Sequence, residues 1–320
     1  MNILKNNFGP KLKENISLSS YTTIQLGGRA KYFIEVEGVA ELKDTLLKSI
    51  RSQIPYFILG GGTNTLIKDE RFAGLVIRNK SGNIKIVGFR GSFRDNKSNI
   101  KDIYLEVDSG VLVNRLVRFC LEESFAGLEN FFHQPGTVGG AVYINAHNIG
   151  QNDYFGSHIF EAKLITKEGK EKKVDRSYFK FGYDSSTIQK TKDIVLSVSL
   201  KLQKGEKNSL WQKASLVAEY RKSSQPQGVR SLGCTFRNIT KEEAFRLHTP
   251  SYTQSSGYLI ESAGLKGYQI GKSRFSTKHA NFIEHLGGGH ASDVLQLIAL
   301  AKEKIKSKFG VDLKEEIVII

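Results

Sequence analysis

Three consecutive glycines, Gly60-Gly61-Gly62, follow directly on the apolar run Tyr56-Phe57-Ile58-Leu59. A short apolar run between Pro55 and glycine reads as a buried strand that ends in a turn too tight for side chains. The bare backbone N–H groups of such a loop can approach a pyrophosphate. The loop completes neither the G-x-G-x-x-G fingerprint nor the Walker pattern, which needs G-K-[ST]. Taken alone, the triplet reads first as a structural turn.

A second glycine cluster, Gln134-Pro135-Gly136-Thr137-Val138-Gly139-Gly140-Ala141, lies some seventy residues further on and runs into Val142-Tyr143-Ile144-Asn145-Ala146. Both clusters carry small hydroxyl or amide side chains, Thr63 and Asn64 in the first and Thr137 in the second. Two such segments can grip one long dinucleotide from two sides.

Around them the chain alternates helix and strand patterns. Residues 31–37 and 75–78 read as strands. Residues 40–53 read as a helix with Leu42, Leu46, Leu47 and Ile50 on one face. Residues 79–101 are polar and turn-rich, a linker and hairpin region. Strands are predicted near 103–107, 161–166, 194–202 and 316–320, and helices over 112–123, 210–222 and 292–309. The last helix carries Val294, Ile298, Ala301 and Ile305 on one face, has lysines in its final turns and stops at Gly310.

The 320 residues suffice for two or three units with real cores. Lys and Arg exceed Asp and Glu by 47 − 32 = 15. The lysines are scattered, which suits solvated charge or a funnel for anionic small molecules better than a nucleic-acid face. Cys120 and Cys234 sit in no metal-binding pattern, and no His, Asp or Glu group has ligand spacing, so no metal is expected. Residues 1–10 have no apolar signal-peptide region and no run is long enough to span a bilayer. A cytoplasmic protein without membrane insertion is expected; protein partners cannot be named.

The two glycine segments, with residues 22–33 (TTIQLGGRAKYF), 127–141 (GLENFFHQPGTVGGA), 259–271 (LIESAGLKGYQIG), 278–283 (KHANFI) and 309–320 (FGVDLKEEIVII), resemble the MurB-type enzymes, a branch of the vanillyl-alcohol-oxidase flavoproteins. The resemblance covers nearly the whole chain, from about residue 22 onward. It implies an α+β, three-domain flavoprotein: one FAD-binding subdomain over 1–80 with 308–320, a second over 81–203, and a substrate-binding domain over 204–307. It also implies that Gly60, Gly61, Gly62, Thr63 and Asn64, with Pro135, Gly136, Thr137, Gly139, Gly140 and Ala141, contact FAD. The implied reaction is NADPH-dependent reduction of UDP-N-acetylglucosamine enolpyruvate.

That chemistry needs a proton donor for C2 of the enolpyruvyl group and support for the developing enolate. The family's donor is a serine in GSxF(K/R)N. Here the stretch is Gly233-Cys234-Thr235-Phe236-Arg237-Asn238, which puts Cys234 at the donor position. A thiol of pKa about 8.5 is protonated at neutral pH yet far more acidic than an alcohol. Glu316 rather than Glu315 matches the family's second acid. Tyr183 keeps its place in Phe181-Gly182-Tyr183-Asp184, but Asp184 stands at or beside the family's arginine. Another cation then has to substitute (Arg176, Lys180 and Arg237 are available), or the loop is realigned, or activity is reduced. Ser224 stands where the family often has a base, and Arg221 or Lys222 can cover that role. The resemblance also gives Arg221, Asn238 and His279 as substrate contacts.

Three other readings remain at this stage: a flavin oxidase of another substrate, a binding relic that has lost catalysis, and a nucleic-acid-binding protein suggested only by net charge.

Overall fold

The computed structural model describes residues 7–94, 97–148, 150 and 152–320. The first six residues, part of the stretch read above as lacking a signal peptide, lie outside the described residues. The chain forms two compact units. One takes the segment ending at Glu14, Tyr32–Gly61 and Gly74–Arg221; the other takes Asn15–Lys31, Gly62–Ala73 and Lys222–Ile320.

In chain order the first elements are β1 (Lys13–Ser17), β2 (Arg29–Val36), α1 (Val39–Arg51), β3 (Tyr56–Leu59), β4 (Thr65–Leu66) and β5 (Phe72–Asn79); of these β4 lies wholly in the second unit, and α1 and β3 wholly in the first. The sheet order is β1-β2-β5-β3, with β3 parallel to β5. Leu42 and Leu46 of α1 are fully buried in a cluster with Ile34, Val36, Leu75 and Ile77. Glu41 in the first turn of α1 and Lys48 and Arg51 in the last complement its dipole. Truncating either leucine to alanine would cost about 2–5 kcal/mol.

The larger part of this unit is an antiparallel sheet. Its elements are β6 (Ile84–Arg94), β7 (Lys97–Asp108), α2 (Val113–Glu122), β8 (Phe125–Ala126), α3 (Val138–Ile144), β9 (His147–Asn148), β10 (Asp153–Tyr154), β11 (Ile159–Ile165), β12 (Glu171–Asp175), α4 (Ile188–Thr191), β13 (Ile194–Lys204) and α5 (Lys207–Ser224). The order is β12-β11-β13-β7-β6. Ile103, Leu105 and Val107 alternate into the core, where Val113, Leu116, Val117, Cys120 and Leu121 of α2 meet them. Residues 79–101, expected to be linker and hairpin, are mostly hairpin, two long antiparallel strands whose length the glycines and charges of β6 mask. Helix α3 was not foreseen, because glycine is a poor helix former. It is held by its caps: Thr137 Oγ1 accepts from Gly140 N at 3.4 Å, and Asn145 closes the end with a left-handed φ of 51°.

The second unit holds α6 (Lys241–Arg246), α7 (Ser256–Ser262), β14 (Gln269–Ile270), β15 (Ser273–Phe275), β16 (Ile283–His285), α8 (Ala291–Phe309) and β17 (Val318–Ile319). The buried face of α8, Val294, Leu297, Ile298, Ala301 and Ile305, anchors its core, and Gly310 ends the helix at φ 68°. The predicted strand over 316–320 is shorter than expected: only Val318 and Ile319 pair, parallel to Thr65 and Leu66. Helices α6 and α7 were too short for periodicity to reveal, although Thr240 and Glu243 form a capping box. Among the described residues no helix is long and apolar enough to cross a membrane.

Candidate active site

In the first unit the two glycine segments meet. A Cβ on Gly60 would lie 2.5 Å from Thr137 Oγ1, so the end of β3 runs against the start of α3 with no room for a side chain. The second segment is pinned to the end of β7 by backbone bonds: Val138 N donates to Val111 O at 2.8 Å, Gly139 N to Ser109 O at 2.8 Å and Val113 N to Gly136 O at 3.0 Å. Gly136 has φ 101°, which requires glycine. Ser109 Oγ in turn accepts from Asn79 Nδ2 at 2.8 Å. The remaining residues of the first segment belong to the second unit. There Gly62, at φ 63°, would drive a Cβ into the Tyr21 carbonyl, and Asn64 Nδ2 donates to the Glu316 carbonyl at 3.2 Å.

Past α3, Asn145 fixes the loop that carries Tyr183. Its Nδ2 donates to Gly182 O at 2.9 Å and its Oδ1 accepts from Gly156 N at 3.0 Å. The Tyr183 ring packs on His147 with centroids 4.9 Å apart. Asp184 turns inward: it is completely buried, has φ 47°, and sets Oδ1 3.4 Å from His147 Nδ1. Burial holds the His147 imidazole below its ordinary pKa; the Asp184 carboxylate opposes that shift and the Arg221 guanidinium adds to it. Arg221, near the end of α5, therefore lies within electrostatic reach of this loop, and it also donates to Gln134 Oε1 beside Pro135. Arg176 and Lys180, two of the cations considered as substitutes, are exposed.

In the second unit Cys234 and Glu316 come from adjacent segments. Glu316 N donates to Thr235 O at 2.9 Å, and Cys234 is bridged to Phe282 on its other side. Asn281 clamps the segment: its Oδ1 accepts from Phe236 N at 2.9 Å and its Nδ2 donates to Phe236 O at 2.7 Å. Cys234 is a half-buried thiol outside any disulfide, whereas Cys120 is deep in the core, where burial pushes its thiol pKa up. Lys302 binds the Glu315 carboxylate at 2.5 Å, so Glu315 is committed to an ion pair. His279 packs its ring on Phe282 at 5.1 Å and accepts from Asn281 N through Nδ1 at 3.3 Å; burial lowers its pKa. Asn238 Oδ1 accepts from Ser256 N at 3.1 Å, at the start of α7.

The UDP-N-acetylenolpyruvoylglucosamine reductase of Protochlamydia amoebophila is 34% identical over 303 residues, spanning 95% of this chain and 92% of that protein. The chain belongs to the UDP-N-acetylenolpyruvoylglucosamine reductase family. The model of that family's C-terminal domain matches residues 225–320, and that of an FAD binding domain matches residues 30–175. The reductase of Aquifex aeolicus is 32% identical over 307 residues, 96% of this chain and 94% of that protein. The crystal structure of the Thermus caldophilus reductase (MurB) superposes with a TM-score of 0.74 at 28% identity, covering 96% of this chain and 99% of that one. The family is FAD-dependent, and the close crossing of Gly60 on Thr137, which a Cβ would fill, fits a backbone-lined dinucleotide site. Sequence reading missed Asn145 and Asn281, the two amides that shape these loops. Asn145 had a local signal, an amide following a short glycine-rich helix. Asn281 had none, because its partners lie 45 residues away.

Proposed function

We propose that this chain is the NADPH-dependent reductase that converts UDP-N-acetylglucosamine enolpyruvate to UDP-N-acetylmuramate for peptidoglycan precursor synthesis in the cytoplasm. Family membership carries the reading. The chemistry supplied by bound FAD is transfer of a hydride from NADPH to C3 of the enolpyruvyl group. The reduction is completed by a proton at C2, which the Cys234 Sγ–H donates. Glu316 helps hold the enolate through a bound proton or water, and the hydrogen bond from its N–H to Thr235 O supports assigning it next to Cys234. Tyr183 hydrogen-bonds the substrate. Arg221, whose guanidinium donates to Gln134 beside Pro135, contacts the substrate. Asn238 and His279 contact the substrate, and the residues of both glycine segments hold FAD. The division into 1–80 with 308–320, 81–203 and 204–307 is proposed likewise; the pairing of Val318 with Thr65 supports joining the carboxyl-terminal strand to the first segment.

The test is anaerobic reduction of the purified flavoprotein by NADPH, followed by the enolpyruvyl sugar nucleotide. Reoxidation of the flavin with formation of UDP-N-acetylmuramate is expected. A protein without flavin, or a reduced flavin that responds to oxygen and ignores the sugar nucleotide, would reject the assignment in favour of a relic or an oxidase.

A further inference from the structure

A buried polar cluster in the first unit lies behind both glycine segments, and no step of the proposed reaction uses it. Strands β3 and β5 run parallel with Leu59 opposite Arg78, so Asn79, the last residue of β5, comes at the level of Gly60. Asn79, Ser81 just before β6 and Ser109 just after β7 are all buried.

The polarity of the cluster is forced. Ser81 N can only donate, so the oxygen of the Asn79 amide, Oδ1, accepts from it at 3.0 Å. The nitrogen, Nδ2, then faces Ser109 Oγ and donates to it at 2.8 Å. Ser81 Oγ accepts from Gly110 N at 3.1 Å. A Cβ on Gly110 would lie 2.6 Å from Ser81 N and 2.8 Å from Asn79 Oδ1, so the chain leaving β7 closes on the cluster with no room for a side chain. Ser109 in turn carries the second glycine segment. Its carbonyl accepts from Gly139 N at 2.8 Å, and a Cβ on Gly139 would stand 3.1 Å from Ser109 Cβ. Ser109 N donates to Leu196 O of β13 at 3.0 Å; the Asn79 amide grips the side chain and stops the residue from pivoting on that bond. The lead-in to β6 is fastened separately, by Asp108 Oδ2, which accepts from Asn83 N at 3.0 Å and from Asn83 Nδ2 at 3.1 Å. The Asn79 amide is therefore not needed to dock β6. A satisfied buried amide adds little net stability over an apolar side chain of the same shape; what it fixes is geometry.

We propose that Asn79 is a positioning residue for FAD. Strand pairing ties it to the first glycine segment and Ser109 ties it to the second, so the two are aligned for the cofactor's diphosphate before FAD arrives. The inference rests on the reading that both segments hold FAD. Backbone donors bind an anion most tightly when nothing has to be ordered on binding. Asn79 acts through Ser109 and does not touch the cofactor.

The experiment is dilution of the flavin-loaded, full-length protein, with FAD release followed by flavin fluorescence, for wild type, Asn79→Ala, Ser109→Ala and the double variant; urea unfolding is measured on the same proteins. Asn79→Ala should hold FAD about tenfold more weakly, because the segment must then be ordered during binding. Ser109→Ala removes the same hydrogen bond from its other end and should also weaken FAD binding, and the double variant should be little weaker than Asn79→Ala. Ser109→Ala carries the test if Asn79→Ala fails to fold. Wild-type affinity for FAD in the variants, with only urea stability lowered, would mean that the cluster supports the fold alone, and overturns the proposal. Losses that multiply in the double variant overturn it too, since the two side chains would then act separately. A wild type that carries no FAD would overturn the reading of the glycine segments and this inference with it.

Discussion

Replacing Gly60 with alanine puts a Cβ 2.5 Å from Thr137 Oγ1 and 3.2 Å from its Cγ2, but 3.5 Å from its Cβ. Only the first two contacts are too close. Thr137 must therefore rotate and give up its bond to Gly140 N, the cap of α3. Overpacking of this kind costs about 1–3 kcal/mol. Thr137→Ala alone loses the cap, at about 1 kcal/mol. In the double variant the offending atoms are gone and the new Cβ meets Thr137 Cβ at ordinary contact distance, so the first cost largely disappears. The two substitutions should couple by about 1–3 kcal/mol, with the double variant near Thr137→Ala in stability. Urea unfolding of all four proteins measures the coupling, and FAD retained per chain should follow the same order, lowest in Gly60→Ala alone. Strictly additive losses would show that Gly60 and Thr137 are not in contact, and the crossing of the two glycine segments would be wrong.

Asn145→Ala strips partners from Gly182 O and Gly156 N and should cost about 2–4 kcal/mol in urea unfolding; a loss under 1 kcal/mol would mean that the amide does not pin this loop. Burial lowers the pKa of His147 below 6.5, so the unfolded chain takes up that proton first as pH falls. The associated stability is complete above about 6.5 and is lost as pH drops through the folded-state value, and His147→Gln should flatten stability between pH 7.5 and 5.5; an unchanged pH dependence refutes it. Iodoacetamide should label Cys234 in the native protein well before Cys120, which is buried; mass spectrometry showing Cys120 modified first would contradict this placement.

The parts legible in the sequence were those written locally. The apolar stripe of α8 gave that helix to within a residue, and the glycine stops after β3 and α8 marked real turns. The segment 233–238 and Glu316 could be matched by motif, and the fold brings them side by side through Thr235 O. What stayed hidden depends on partners far along the chain. Nothing near Asn281 reveals that it clamps Phe236. Nothing near Asp184 says that its carboxylate turns inward to His147, 37 positions earlier. The hairpin of β6 and β7 is legible over 79–101 only as a turn-rich linker and hairpin region, because a bulge at Val87 breaks the period of two that marks a strand.

The decisive measurement is rapid mixing of NADPH-reduced wild type and Cys234→Ala with the enolpyruvyl sugar nucleotide, following flavin absorbance. Both proteins should be reduced by NADPH at similar rates. Loss of a positioned general acid removes about 100-fold or more, so reoxidation by substrate should slow at least that far in Cys234→Ala. Reoxidation of the variant at the wild-type rate would mean that the proton comes from elsewhere and that Cys234 is not the acid.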